Sequence, residues 1–481
     1  MYDVIVVGAR VSGASTAMLL SRAGHRVLLL DRATFPSQKN AATNLLHPPG
    51  VLRLKRWGLL DEMIATGCPP ITRYGLQSGD VGLMAELPAI EGIAVAYSPR
   101  RQTLDDILLR AAVASGAELR QGFSVQGVVR DDDGAVIGVA GCNQDGVQVN
   151  EYAAVVVGAD GSNSRVAALV GSAKHHEAPV LNKSSWTYWR GLPQDGTVRT
   201  YRHDRKHAFT WPTHDDLTIV GVAWPTKDFV AQDDAATDDA VIAAFEQVDP
   251  AFAAQLRGQE RFGNWMTGSV PNFLRRPQGP GWALVGDAAY TRDPITAAGI
   301  TEALRGAEEL SSSLDDGLTG RRVMASALSE YELRRERQIM GHFAYTCEFA
   351  SVADHTPQER SFIAAMSRSP WHATGMVGVF SEVVAPESFY SRASVKELFQ
   401  YMGPRRKLGL KLGTVDVLLH GLPTRPAWSA AIAEHLIAKN LGAMGHFLAL
   451  DEKPHGEKSP LRRQLLPQPS AFLDTARRDV R

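Results

Sequence analysis

The N-terminal segment places the strongest constraint on the fold. A β-branched run at residues 4–7 leads into the hexapeptide GARVSG at residues 8–13, and a helix-compatible stretch follows at residues 14–22. A second apolar run, at residues 27–30, stops at Asp31. This order of buried strand, tight turn, helix, strand and acidic residue is typical of a βαβ unit that binds a dinucleotide. The segment therefore predicts an α/β fold that begins with a parallel sheet.

The glycine motif departs from the usual pattern at Arg10, which stands where the middle glycine lets the backbone approach a pyrophosphate. The Arg10 side chain must therefore point away from that contact or lie over it as an extra cation. A tight turn that binds nothing remains the alternative interpretation of this motif alone. The candidate nucleotide-binding residues here are Gly8, Arg10, Ser12, Gly13, Asp31 and Arg32.

Two further motifs repeat the pattern of an apolar strand followed by a turn with Gly and Asp. The first is VVVGADG at residues 155–161, followed by SNSR at residues 162–165. The second is WALVGDAA at residues 282–289. Each alone is also consistent with an ordinary turn at the end of a strand. Together, and in this order after the N-terminal motif, they are much more specific.

With these three motifs the chain resembles the class A flavoprotein monooxygenase family, which has the fold of para-hydroxybenzoate hydroxylase. The resemblance covers residue 1 to about residue 385 and implies FAD as cofactor, with NAD(P)H as a transient co-substrate. It implies that Asp160, Gly161 and Arg165 lie near the FAD pyrophosphate and the approach of the nicotinamide. It also implies that Gly286 and Asp287 contact the ribityl chain.

The resemblance extends to the segments expected beside the flavin. Arg101 precedes a predicted helix with apolar residues at helical spacing, and it matches an arginine that contacts the ribityl or phosphate region in the family. Pro294, Ala298 and Gly299 form a small-residue segment before another predicted helix, whose N-terminus would place amide donors near the flavin. His47 lies in a segment similar to the loop beside the isoalloxazine and is the candidate catalytic residue. A structural loop histidine is the alternative.

Between residues 176 and 274 the pattern changes to short alternating runs separated by turns, which predicts an antiparallel sheet. In the resembling fold one face of that sheet covers the substrate. The candidate substrate-contacting residues are Tyr188, Arg190, Tyr201 and Trp211. The sequence WTYWRGLP at residues 186–193 differs from the WxWxIP signature of flavin halogenases, because its tryptophans are three residues apart and the Ile is Leu.

The predicted fold class is α/β: a Rossmann-like FAD-binding domain with an interleaved antiparallel substrate sheet and a helical C-terminal region. A helix is predicted at residues 427–441, and the last 30 residues or so are predicted to form a loosely attached tail. The predicted division assigns the FAD-binding domain to residues 1–75, 95–175 and 275–385, the substrate domain to residues 76–94 and 176–274, and the C-terminal region to residues 386–481.

Composition excludes several other classes of protein. The net charge of −1 provides no overall field for nucleic acid. The three cysteines, Cys68, Cys142 and Cys347, are far apart and lack metal-ligand or redox-pair spacing, so we expect free thiols, no bound metal and a cytoplasmic location. No apolar run reaches the roughly 18–20 residues of a membrane span. The N-terminus lacks the basic start of a signal peptide and is expected to form the first strand.

The resemblance implies an enzyme that uses NAD(P)H and O2 to hydroxylate or epoxidise an aromatic or other electron-rich small molecule through a C4a-hydroperoxyflavin. His47, His203 and Tyr188 are candidates for proton transfer to or from a phenolic substrate. A flavin-dependent halogenase and an alkene reductase similar to geranylgeranyl reductase are the enzymatic alternatives. A non-catalytic flavin-binding protein is the alternative of a different class.

Overall fold

The computed structural model describes residues 1–37 and 42–391, together with residues 394, 397, 398 and 401. The predicted helix at residues 427–441 and the predicted tail lie outside the described residues. The strands are β1 Tyr2–Val7, β2 Val27–Asp31, β3 Arg73–Ser78, β4 Val81–Glu86, β5 Glu118–Gln121, β6 Ser124–Arg130, β7 Val136–Cys142, β8 Gln148–Gly158, β9 Lys174–Ala178, β10 Asn182–Arg190, β11 Thr197–His203, β12 Lys206–Pro212, β13 Leu217–Pro225, β14 Arg261–Gly268, β15 Asn272–Arg275, β16 Gln278–Gly279, β17 Trp282–Leu284 and β18 Tyr290–Thr291. The helices are α1 Val11–Arg22, α2 Pro48–Arg56, α3 Leu60–Ala65, α4 Arg101–Ala114, α5 Arg165–Leu169, α6 Asp234–Glu246, α7 Pro250–Gly258, α8 Gly299–Leu318, α9 Met324–Phe349, α10 Pro357–Met366, α11 Pro370–Phe380 and α12 Pro386–Phe389.

The first sheet has β1 at its centre and the strand order β16-β17-β8-β1-β2-β5. β1 pairs in parallel with both β2 and β8. Both faces of this sheet are covered: Val6 packs among residues of α1, α4 and α8, whereas Ile5 packs against the β6–β7 side. Burial on both faces explains why the strands are continuous apolar runs rather than alternating ones.

The second sheet has the strand order β14-β10-β13-β12-β11-β3-β4. Its pairs are antiparallel except β11 with β3, because β3 comes from an earlier, separate part of the chain. One face packs on α6 and α7 through residues such as Trp189 and Tyr201. The opposite face carries Trp186 and Trp211 and packs against α9, α10 and α11. A mixed α/β fold with an interleaved, mainly antiparallel sheet is confirmed.

The topology brings distant motifs to one edge of the first sheet. β17 pairs in parallel with β8, and β8 pairs in parallel with β1, so the carboxyl ends of these strands point the same way. The segments that follow β1, β2, β8 and β17 therefore meet at that edge. In open α/β sheets, ligands bind in the crevice outside the carboxyl ends of the strands.

Candidate active site

A cavity of about 1000 Å³ lies at this edge of the first sheet. The structure brings fourteen of the fifteen predicted cofactor-binding residues to its wall, and their binding roles stay predictions. These residues are Gly8, Arg10, Ser12, Asp31, Arg32, Arg101, Asp160, Gly161, Arg165, Gly286, Asp287, Pro294, Ala298 and Gly299.

The remaining predicted residue, Gly13, lies behind the cavity wall. A Cβ atom on Gly13 would stand 1.7 Å from the carbonyl oxygen of Gly8, so the first turn of α1 packs directly on the loop before it. Gly8 has a φ of +104°, and a Cβ there would stand 2.4 Å from the carbonyl oxygen of Ala159. These glycines are required because backbone meets backbone within the first motif and where it meets the second.

The same wall provides open space where a flat ligand would lie. A Cβ on Gly161 or Gly299 would meet no other atom within 4 Å, so both glycines leave the cavity unobstructed. The first turn of α1 directs backbone N–H groups and the positive end of the helix dipole toward this side. A cavity of this volume, lined by the close-packed glycine loop of residues 8–13, a helix N-terminus and several cations, fits a dinucleotide.

Two predicted acidic residues hold backbone segments of the cavity in place. Asp31 accepts hydrogen bonds from the backbone nitrogens of Ala9 and Ala33, each at 2.8 Å, and so ties the glycine loop to the end of β2. Asp160 accepts from the backbone nitrogen of Arg165 at 2.6 Å and from the Ser164 hydroxyl at 2.5 Å. Both carboxylates thus fix the shape of the cavity wall.

The Arg10 side chain turns toward α4 while still lining the cavity. Its backbone φ of −93° lies outside the left-handed region, so this position does not require glycine. The Arg10 and Arg101 guanidinium groups both donate to Asp105, whose side chain is 3% exposed. Asp105 was not predicted from the sequence. One sequence feature could have identified Asp105: it is an acidic residue four positions after Arg101, adjacent to Leu104 on an otherwise apolar helix face.

The segment before α8 is held by buried polar contacts. Asp293 accepts from the backbone nitrogen of Ile295 at 3.0 Å and from the Asn182 side-chain amide at 2.9 Å. Burial raises the pKa of Asp293 to about 7, against the opposing effect of these two hydrogen bonds. Ala297 then adopts the left-handed conformation, with a φ of +53°, before α8 begins at Gly299. This turn forms the part of the wall that contains Pro294 and Ala298.

A cluster of buried charges supports this turn. Arg292 donates to Glu382, and Arg305 lies 3.5 Å from the same carboxylate and 2.6 Å from Glu302. Burial raises the pKa of Glu382, but Arg292, Glu302 and Arg305 outweigh that effect and lower it overall. Burial raises the pKa of Glu302 despite Arg305. Sequence reasoning missed this cluster because Glu382 lies far along the chain from Arg292 and from α8.

His47 lies beneath the same turn and is fully buried, and it is not among the residues that line the cavity. Its Nδ1 atom lies 2.7 Å from the Tyr74 hydroxyl, and its Nε2 atom lies 2.9 Å from the carbonyl oxygen of Thr296. Burial lowers the pKa of His47 to about 4. This geometry favours a positioning role, because both ring nitrogens are engaged with the protein. A catalytic role stays a prediction.

The four predicted substrate-contacting residues do not line the cavity, and they occupy different surroundings. The Tyr188 hydroxyl accepts from the side-chain amide of Asn44, a cavity residue, at 3.0 Å. Trp211 donates from Nε1 to the carbonyl oxygen of Thr43 at 3.2 Å. Arg190 is exposed, and Tyr201 is on the opposite face, where its hydroxyl donates to Asp249 at 2.8 Å.

Other predicted features are located as follows. Cys68, Cys142 and Cys347 are free cysteines. Within the described residues, no group of three or more His, Cys, Asp or Glu side chains is arranged to hold a metal ion. No helix in the part of the chain described by the structure is long and apolar enough to cross a membrane.

The chain is similar to known proteins in sequence and in fold. Residues 1–343 match the family model described as FAD binding domain. A 1H-pyrrole-2-carbonyl-[peptidyl-carrier protein] brominase of Pseudoalteromonas luteoviolacea is 26% identical over 65% of this chain and 78% of its own. A 6-methylpretetramide 4-monooxygenase of Streptomyces rimosus is 27% identical over 69% of this chain and 80% of its own. The crystal structure of pqsL, a probable FAD-dependent monooxygenase from Pseudomonas aeruginosa, shares the fold, with a TM-score of 0.66 and 21% identity over 75% of this chain and 98% of its own.

Proposed function

This chain belongs to the FAD binding domain family, and from that premise we propose that it is an NAD(P)H-dependent monooxygenase. The proposed reaction inserts one oxygen atom of O2 into an aromatic or other electron-rich small molecule. The chain is a flavoprotein oxidoreductase of the type that includes monooxygenases and halogenases.

The observation that carries the proposal is the contact between the wall of the cofactor cavity and the second sheet. Its wall runs from the glycine loop to residues 42–45. Two residues of that segment, Thr43 and Asn44, hydrogen-bond to Trp211 and Tyr188 of the second sheet. A small molecule held between the sheet and the turn at residues 294–299 would therefore lie beside the cofactor cavity.

When bound, FAD supplies the redox chemistry, accepting a hydride from NAD(P)H and activating O2. The chain itself binds, orients and excludes water. The glycine loop and the N-terminus of α1 would hold the pyrophosphate, with Arg10 and Arg101 as nearby cations. Backbone amides at the N-terminus of α8 would face the flavin where negative charge develops on reduction, which stabilises that charge. His47 fixes the turn that carries Pro294.

The alternative of halogenation is disfavoured by the placement of two tryptophans on β10. Trp186 packs on the face toward α9, whereas Trp189 packs on the opposite face and donates from Nε1 to the carbonyl oxygen of Leu256 at 3.3 Å. A WxW spacing would put both rings on one face, because side chains alternate along a strand. The three-residue spacing in this chain cannot do so.

The test first screens a panel of phenols, anilines and indoles for compounds that stimulate NAD(P)H oxidation. The products of those compounds are then analysed after reaction under ¹⁸O2. We expect a product that carries one labelled oxygen atom for each NAD(P)H consumed. Product formed without label, but with two added hydrogens and without need of O2, would establish an alkene reductase. Product that requires chloride or bromide and contains halogen would establish a halogenase.

Cofactor retention provides a separate check of the motif assignment. We expect Asp287→Ala to lower the FAD content of the purified protein severalfold, because Asp287 lines the cavity beside Gly286. Asp133→Ala, at an exposed turn residue, is the matched control and should leave FAD content unchanged. A colourless wild-type protein that takes up no added FAD would refute both the assignment and the proposed reaction.

A further inference from the structure

Asp105 joins two cations that come from different parts of the cofactor site. Arg10 is the residue before α1 in the glycine loop, and its Nη1 atom lies 3.0 Å from Asp105 Oδ2. Arg101 is on the first turn of α4, and its Nη2 atom lies 3.0 Å from Asp105 Oδ1 and 3.2 Å from Oδ2. One buried carboxylate thus holds a guanidinium group from each of two elements.

Arg10 is held at further points. Its Nη2 atom donates to the Ser37 hydroxyl at 2.9 Å. Its guanidinium carbon lies 5.7 Å from the centre of the Phe35 ring, within the range of a cation–π contact. The planar guanidinium group therefore bridges α4 and the segment after β2. A lysine could not make both hydrogen bonds with the same geometry, because its charge is on a single nitrogen.

The three side chains leave a net positive charge at the wall of the cavity. Arg10 and Arg101 both line it, and their side chains are 23% and 12% exposed. The N-terminus of α1 adds its positive dipole end beside Arg10. An anionic group is therefore favoured here, and the glycine loop is where a dinucleotide fold holds its diphosphate.

We propose that Asp105 is a positioning residue that holds Arg10 and Arg101 against the diphosphate and so makes this chain select FAD over the mononucleotide FMN. The replacement of the middle glycine by Arg10 is then a gain in recognition and not a defect of the motif. The inference rests on FAD binding and not on the proposed oxygenation, so either can fail without the other.

Positioning and simple charge attraction predict opposite effects for Asp105→Asn. Removing the carboxylate raises the positive charge beside the diphosphate, which would tighten FAD binding if charge alone mattered. If geometry matters, releasing the two guanidinium groups weakens FAD binding. FMN lacks the second phosphate and the adenosine, so its binding should change much less.

The experiment titrates the FAD-loaded protein with FMN and measures the FMN concentration that displaces half of the bound FAD. We expect Asp105→Asn and Arg10→Gln each to lower this midpoint by tenfold or more. Asp106→Asn is the matched control, because Asp106 is next on the same helix, about half exposed and paired with Arg110. Its midpoint should equal that of the wild type.

Arg10→Lys keeps the charge at a partly exposed position, so it tests geometry without endangering the fold. We expect its midpoint to fall severalfold, with unchanged circular dichroism. A raised midpoint in Asp105→Asn would overturn the proposal in favour of simple charge attraction. Unchanged midpoints in Asp105→Asn and in both Arg10 variants would also overturn it, since a purely structural role would loosen FAD and FMN equally.

Discussion

His47 makes the stability of this protein depend on pH in a defined range. Its Nε2 atom faces the carbonyl oxygen of Thr296, so Nε2 must carry the proton, and Nδ1 then accepts from the Tyr74 hydroxyl. Burial disfavours the charged form that a second proton would create. Burial accordingly lowers the pKa of His47 to about 4 from the ordinary value of 6.5.

The sign and size of the effect follow from linkage. As pH falls from about 6.5 to about 4, the unfolded chain takes up a proton that the folded protein excludes, so stability is lost over that range and not below it. A shift of this size corresponds to about 3 kcal/mol, at about 1.4 kcal/mol per pH unit. At pH 5 the expected loss is about 2 kcal/mol.

The assay compares His47→Gln with the wild type by equilibrium urea unfolding at pH 7.5 and pH 5. Glutamine does not titrate, so the free energy of unfolding that the substitution costs should be about 2 kcal/mol smaller at pH 5. Taking the difference between the two proteins cancels the contributions of the other histidines. A cost that stays constant or grows as pH falls would refute the reasoning.

Tyr74→Phe is the matched control, because it removes the hydrogen bond to Nδ1 but keeps the imidazole. It should destabilise the fold by about 1–3 kcal/mol, since it leaves a buried acceptor without a partner. The decline in stability between pH 7.5 and pH 5 should persist in this variant. If the pH dependence vanished in Tyr74→Phe as well, it would not originate from the His47 proton.

Two further substitutions test the packing around the site. Gly13→Ala should abolish FAD retention, because its Cβ would stand 1.7 Å from a backbone oxygen. Gly258→Ala is the control, because a Cβ there would meet no atom within 4 Å; this variant should retain FAD fully and leave Tm unchanged or slightly higher. Glu382→Gln should cost about 3–5 kcal/mol, because it leaves Arg292 buried without its ionised partner. Glu246→Gln, which breaks an exposed pair, should cost less than about 1 kcal/mol. Equal shifts of Tm in the two Glu variants would contradict the assigned burial.

Short-range patterns were sufficient to predict the α/β class and the segments that meet at the cavity. A buried parallel strand must be a continuous apolar run, and the turn after it must contain glycine where backbones touch. Gly8 and Gly13 meet those requirements within a single loop. The motifs at residues 155–161 and 282–289 repeat the apolar run and the glycine turn, and parallel pairing of their strands brings the turns to the same edge.

The sequence did not determine which side chains face each other across elements. Tyr188 and Tyr201 have the same strand-forming character, but only the pairing of the second sheet decides that Tyr188 contacts Asn44 of the cavity wall while Tyr201 packs on α6 and α7. A one-residue change in register reverses the face of every side chain in a strand. The substrate-facing residues could not be chosen before the pairing was known.

The sequence by itself determined the kind of cofactor site, because glycine turns, apolar strands and their order are local properties. Only the tertiary structure decided the roles of charged and titratable groups. Asp105 gained its contact with Arg10, and His47 its buried, neutral state, from residues far away along the chain. Burial and charge pairing depend on what packs around a side chain, and three-dimensional contacts set that environment.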